Sequence, residues 1–200
     1  MSDLTPTRSA VVALTEERKA MRESYVFLDE KCLLLAQGLM QALRTYERLA
    51  AELGAAFGEA TRALHGALAR HGLEGLQAYP AADAVAAELA VKRGSLMGVA
   101  VQEARLSGIG APAVEPLNPS PEAEECRELH LRALGIAAEL AAVSGNLERL
   151  YAEYRRSVRR VRALHDVLLP EADREIGEIE SRLEELDQDE AVWLRHRRGA

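Results

Sequence analysis

The sequence predicts a mainly α-helical protein: a long antiparallel two-helix coiled coil formed by N- and C-terminal helices, with a small middle head containing a β-hairpin. Three observations carry that expectation. Of the seven prolines in 200 residues, none lies between Pro6 and Pro80, four crowd into the stretch from Pro112 to Pro121, and only Pro170 follows. Two helix-permissive arms therefore flank a broken middle. Aromatic residues make up 4% of the chain, too few to fill the centre of a large compact core. Apolar residues also recur every seven positions along both arms, the period of a coiled-coil seam. The expected division is a coiled-coil helix over 1–72, a middle head and linker over 73–121, and a second coiled-coil helix over 122–200.

In the first arm one series runs Leu14, Met21, Leu28, Leu35, Ala42, Leu49, Ala56; the other runs Arg18, Tyr25, Cys32, Leu39, Tyr46, Leu53, Ala60, Ala67. Near Phe57 and Leu64 the larger apolar residues drift by one position, which predicts a stutter or the end of regular pairing. Thr5-Pro6-Thr7-Arg8 reads as the helix start, with a hydroxyl residue as cap and Pro6 in the first turn, where a missing N–H costs nothing. Gly72 and Gly75 read as the stop.

The middle carries two short apolar runs, Ala84–Val91 and Leu96–Glu103, separated by the turn-like Lys92-Arg93-Gly94-Ser95. This pattern predicts a β-hairpin, the other reading being a helix over the alanine-rich Ala82–Ala90. The stretch from Ser107 through Pro121 reads as linker.

The second arm starts after Pro121, with Ser120 as cap and Glu122, Glu124 and Glu125 in the first turn, where the helix dipole favours acids. Its seam reads Ala133, Leu140, Leu147, Tyr154, Val161, Leu168, interleaved with Ala137, Ser144, Tyr151, Val158, His165, Ala172, Ile179, Leu186, Trp193. Pro170 is expected to kink the helix while the heptad phase continues to Trp193. At about 1.5 Å per residue each arm reaches on the order of 100 Å, and each stripe is satisfied by the other arm. Arg18 and Glu175 both fall where an apolar residue is expected, which suggests a register-setting pair.

Much chemistry is missing from the string. No GxxxxGK[ST] loop is present, and Gly94-Ser95-Leu96-Met97-Gly98 is no dinucleotide loop. The five histidines form no HExxH and no metal-ligand spacing, so neither metal nor cofactor is expected. The carboxylates of 175–190 read as a solvated helix face rather than acid–base machinery. No apolar run approaches a membrane span of about 18 residues or more, and the N-terminus carries no apolar signal region. Cys32 and Cys126 read as reduced packing residues of a cytoplasmic protein. A formal charge of −7 does not suit a nucleic-acid binder. Two basic clusters stand out: five arginines within Arg155–Arg162, and Arg195-His196-Arg197-Arg198 after Trp193-Leu194. They suit either pairing along the coil or contact with a negatively charged protein surface.

Several strings, taken in order, resemble the D subunit of V/A-type ATPases. They are Leu4-Thr5-Pro6-Thr7-Arg8 opening a heptad helix, Leu96-Met97-Gly98-Val99 in the middle, Arg159-Arg160-Val161-Arg162-Ala163-Leu164, then Val167-Leu168-Leu169-Pro170 and the closing Glu178–Asp187. The resemblance spans nearly the whole chain. Leu33 and Leu34 stand where that family usually carries charges.

The resemblance implies a central-stalk rotor subunit that carries torque and no active site. Its implied partners are the catalytic and non-catalytic subunits of the ATPase hexamer, the small F subunit of the stalk and the connector to the membrane ring. The implied location is cytoplasmic and peripheral to the membrane, without insertion. Arg8, Arg18, Lys19, Arg195 and Arg197 are the residues expected to face the hexamer bore. A prefoldin-like holdase, which also joins coiled-coil helices through β-hairpins, and a passive coiled-coil scaffold are the competing readings.

Overall fold

A computed structural model of the chain describes residues 7–80, 87–108, 116 and 119–198. The elements are α1 (Arg8–Gln77), β1 (Glu88–Leu96), β2 (Val99–Ser107), α2 (Pro121–Ala163), a π-helical turn at Leu164–Leu168, and α3 (Leu169–Arg198). The long N-terminal helix packs against the helices of the C-terminal half with a two-stranded antiparallel hairpin between them in sequence. The expected fold class holds. By internal contacts the chain forms two compact units, residues 1–34 with 154–200, and residues 35–153.

Helix α1 starts at its cap. Thr7 Oγ1 accepts the Ala10 N–H at 3.2 Å, so Thr7 satisfies one of the amides that a helix start leaves unpaired. Thr5 and Pro6 lie outside the described residues. From Leu14 to Ala67 every member of the two expected heptad series is buried or half-buried except Tyr46, which is 36% exposed, and a few flanking positions such as Ala36 and Leu64 are half-buried as well. The expected drift does not occur at Phe57, whereas Leu64 is half-buried beside Ala63. Ala56, Ala60 and Ala67 are buried while Phe57 is exposed, because small seam residues let helix axes approach closely and the larger side chains then turn outward. Gly72 leaves the helical region at φ 66°, as its predicted stop role requires, but helix resumes through Gly75 to Gln77.

In the first unit α1 and α3 run antiparallel. Arg8 pairs with Asp187 at 3.1 Å, Arg18 with Asp173 at 2.7 Å, and the Tyr25 ring lies 5.6 Å from that of His165. Partner numbers fall as those of α1 rise. The cross-helix partner of Arg18 is thus Asp173 and not Glu175, which is exposed.

The reason is the π turn. Pro170 has no N–H to give and its ring crowds the preceding turn; the chain answers by widening that turn, so that the Leu169 N–H bonds Leu164 O in the five-residue spacing of a π-helix. One residue is thereby inserted into the heptad. Before the turn the inward positions include Ser157, Val161 and Leu164; after it they are Leu169, Ala172, Ile176 and Ile179. The expected unbroken phase is therefore corrected in part: Ala172 and Ile179 hold the seam places expected of them, but Ile176 takes the place assigned to Glu175, and His165, Leu168, Leu186 and Trp193 are exposed. Tyr151 is likewise exposed, and Leu150 is buried beside it.

In the second unit α1 and α2 are also antiparallel. Arg132 lies 3.8 Å from Glu59, and Arg70 pairs with Glu122. Leu35, Leu49 and Leu150 are buried among the alanines of both helices, including Ala60, Ala67, Ala123 and Ala133, each leucine contributing about 1.5–3 kcal/mol. Ser120 caps α2 as expected and is 1% exposed. Its Oγ donates to Glu122 Oε2 (3.2 Å) and accepts from the Ala123 N–H (3.3 Å) and His71 Nε2 (2.6 Å), which uses its one proton and both lone pairs. The Glu122 carboxyl is held below its ordinary range, first by its own backbone N–H and then by Arg70.

The hairpin turn is not at Lys92–Ser95, which form part of β1, but at Met97-Gly98. Both turn residues have positive φ, 50° and 83°, the demand of a two-residue type I′ connection, which Gly98 meets without strain. The register runs from Leu96 opposite Val99 to Glu88 opposite Ser107. The start of the alternative helical reading, Ala82–Ala90, lies outside the described residues; Glu88–Ala90 are strand.

Candidate partner interface

The second unit builds its surface by fixing the hairpin to the helices. Gln102 faces Arg93 across the ladder. The Asn146 side chain of α2 accepts the Gln102 N–H at 2.8 Å and donates to Gln102 O at 2.7 Å. An amide thus stands where a third strand would. Arg149 adds Nε–H to Ala100 O at 2.9 Å and Nη2–H to Asn146 Oδ1 at 2.7 Å. At the tip, Leu96 closes onto Gly38 of α1, where a Cβ would lie 2.4 Å from Leu96 Cδ2. A cleft of about 500 Å³ opens beneath the hairpin, lined among others by Gln41, Thr45, Arg48, Glu103 and Glu139. Sequence reading missed Gly38, Asn146 and Arg149; the one available signal was glycine and asparagine inside helices that gain nothing from them.

The first unit carries the charged residues expected at a partner surface. Arg8 and Arg18 project from α1 and are each tied to an acid of α3. Lys19 lies on the outer side of α1 beside a shallow groove of about 370 Å³ that Arg22, Val26, Phe27 and Glu30 also line. Val26, Phe27, Leu33 and Leu34 are exposed, an apolar stripe opposite the seam that sequence reading passed over; its signal was two apolar pairs one heptad apart and off the seam. From Glu184 to Arg197 every α3 residue is exposed. Arg195 and Arg197 sit there, with the Arg197 guanidinium 5.0 Å from the Trp193 ring centre, a cation–π contact that keeps the apolar ring under a charge.

Of the string positions, Thr7 is the α1 cap and Gly98 the hairpin turn. Val161 and Leu164 are half-buried inward positions, while Arg160, Ala163 and Pro170 are exposed. Among the described residues no cluster of three or more His, Cys, Asp or Glu side chains is placed to hold a metal ion, and no helix is long and apolar enough to cross a membrane. Cys32 and Cys126 are buried free thiols whose pKa values are pushed up chiefly by that burial.

The sequence model of the ATP synthase D-subunit family matches residues 10–198. The chain belongs to that family. It is similar to the V-type ATP synthase D subunit of Thermotoga neapolitana, 25% identical over 96% of this chain and 95% of that one. It is also similar to the A-type ATP synthase D subunit of Thermococcus gammatolerans, 27% identical over 96% and 92%, and to the V-type protein of Anaeromyxobacter dehalogenans, 28% identical over 100% and 97%. Both V-type and A-type D subunits are thus matched over nearly their full length, which supports a subunit of a V/A-type ATP synthase.

Proposed function

We propose that this chain is the central-stalk rotor subunit of a V/A-type ATPase or ATP synthase, transmitting torque between the nucleotide-processing hexamer and the membrane ion-translocating ring, and that it carries no catalytic site of its own. The observation that carries the reading is the near full-length match to D subunits, on a helix pair whose heptad seam is held for most of α1. A shaft must resist slippage between its helices. Interdigitated seam residues and crossing pairs such as Arg18–Asp173 oppose sliding, because a shift by one residue breaks the whole stripe. The coil must also turn against its surroundings, which suits an outer face rich in exposed charges whose contacts re-form from step to step.

On this reading Arg8, Arg18, Lys19, Arg195 and Arg197 face the bore formed by catalytic and non-catalytic subunits. The 73–121 segment meets the small F subunit of the stalk and the connector to the membrane ring, on the cytoplasmic side. Reconstitution with candidate hexamer subunits tests the proposal. One copy bound per hexamer, with nucleotide hydrolysis responding to its addition, is the expected result. Alanine at the five basic positions should weaken assembly or coupled hydrolysis, and unchanged assembly and coupling would remove them from the bore.

A further inference from the structure

The hairpin has two outer edges, and the structure treats them differently. On β2, the outward backbone groups at Gln102 and Ala100 are taken by Asn146 and Arg149. Since Gln102 turns both groups away from β1, the Arg93–Gln102 pair is of the non-hydrogen-bonded kind, and alternation then sends the N–H and C=O groups of Leu89, Val91, Arg93 and Ser95 out along the free edge of β1. No third strand of the described residues pairs there. Every residue from Glu88 to Ser95 is exposed, Leu89 and Val91 among them. Among the described residues no helix or strand covers this edge, and the nine-residue strand carries no proline; what guards it against unselective pairing is the charge of Lys92 and Arg93.

We propose that the outer edge of β1 is a strand-addition site, taking an extended segment of a partner protein that is apolar where it passes Leu89 and Val91 and acidic where it passes Lys92 and Arg93. Strand addition of this kind draws affinity from main-chain hydrogen bonds and selectivity from neighbouring side chains. The charge selects the occupant. Neither Lys92 nor Arg93 has an ion pair among the described residues, so an acidic strand gains by joining. A second copy of this chain does not: antiparallel self-pairing centred on the exposed groups sets Lys92 against Lys92, and like charges directly opposite are destabilising.

The site lies within the 73–121 segment that the rotor reading sets against other subunits, but its test uses none of them, so it fails or holds without that reading. The experiment is residue-resolved amide hydrogen exchange on the full chain, alone and with a short strand-forming peptide whose halves carry valines and glutamates, against the same peptide with lysines for glutamates. The acidic peptide should slow exchange at Leu89, Val91, Arg93 and Ser95 by about tenfold or more, leaving the already paired Ala90 and Lys92 amides unchanged. Val91→Pro removes one outward N–H without touching the β1–β2 ladder, as proline on an edge strand does, and should abolish the effect while Ala90 stays protected. Arg93→Glu should weaken the acidic peptide's effect and favour the lysine peptide. Protection of the outward amides in the chain alone, protection that grows with its concentration, equal effects of both peptides, or no effect of either would each overturn the proposal.

Discussion

Asn146 on α2 binds both backbone groups of Gln102 on β2, accepting at 2.8 Å and donating at 2.7 Å. A side-chain amide has the same donor and acceptor as a peptide unit, so it satisfies a strand edge that would otherwise need water or another strand. Asn146→Ala should lower unfolding stability by about 1–3 kcal/mol, since its two bonds to Gln102 and the one it accepts from Arg149 are lost and two backbone groups are left without their partner. Urea unfolding measures the loss, and faster exchange of the Gln102 amide locates it.

Two helical glycines should respond oppositely to alanine. At Gly54 nothing lies within 4 Å of an added Cβ, and Gly54→Ala should stabilise by up to about 1 kcal/mol through helix propensity alone. At Gly38 the same atom meets Leu96 Cδ2 at 2.4 Å, so Gly38→Ala should destabilise by about 1–3 kcal/mol as the hairpin tip is pushed away. Adding Leu96→Ala to Gly38→Ala should recover part of that cost. Equal effects at the two glycines would mean that the tip does not close on α1.

The π turn makes a prediction about phase. Ile176 is 7% exposed and Glu175 is at the surface, although an uninterrupted heptad assigns the seam to Glu175. Ile176→Ala should cost about 2–4 kcal/mol, whereas Glu175→Leu should change stability by no more than about 0.5 kcal/mol. Thermal or urea unfolding of the two variants decides it; a stabilising Glu175→Leu would mean that the phase runs through Pro170 unshifted.

The cap of α2 should be sensitive to acid. Glu122 is held below its ordinary range by its own N–H and by Arg70, so it contributes stability that is fully present above the ordinary glutamate value of about 4.3 and is lost as pH falls below it through the lowered folded value. In Glu122→Gln that contribution is absent at every pH. The difference in unfolding stability between the two proteins should therefore shrink as pH drops below about 4, and amide exchange at Ala123 and Glu124 should quicken over the same range.

The thiols give a chemical check on both units. Burial raises the pKa of Cys32 and of Cys126, so the reactive thiolate is scarce at neutral pH and access is blocked. Iodoacetamide should label neither in the folded chain and both in urea, as read by mass spectrometry.

Heptad spacing alone was enough to read the antiparallel helix pair, because a seven-residue stripe has only one low-energy use, burial against another such stripe. The same holds for the cap at Ser120, a hydroxyl placed just before an acidic first turn, and for the existence of a hairpin. Three things needed the folded chain. The register of the C-terminal arm depends on how Pro170 is accommodated; a kink and a π turn look alike in sequence, yet only the π turn inserts a residue and hands the seam from Glu175 to Ile176. The hairpin turn sits at Met97-Gly98 because the ladder and the approach of Leu96 to Gly38 set it there, while Lys92–Ser95 carried the stronger local turn signal. The attachment of Asn146 and Arg149 to β2 joins residues more than forty positions apart, and no local pattern encodes such a meeting. Periodicity acts through neighbours on one helix and so is legible from the string; register, turn placement and edge capping are settled by which distant groups the packed chain brings within reach of one another.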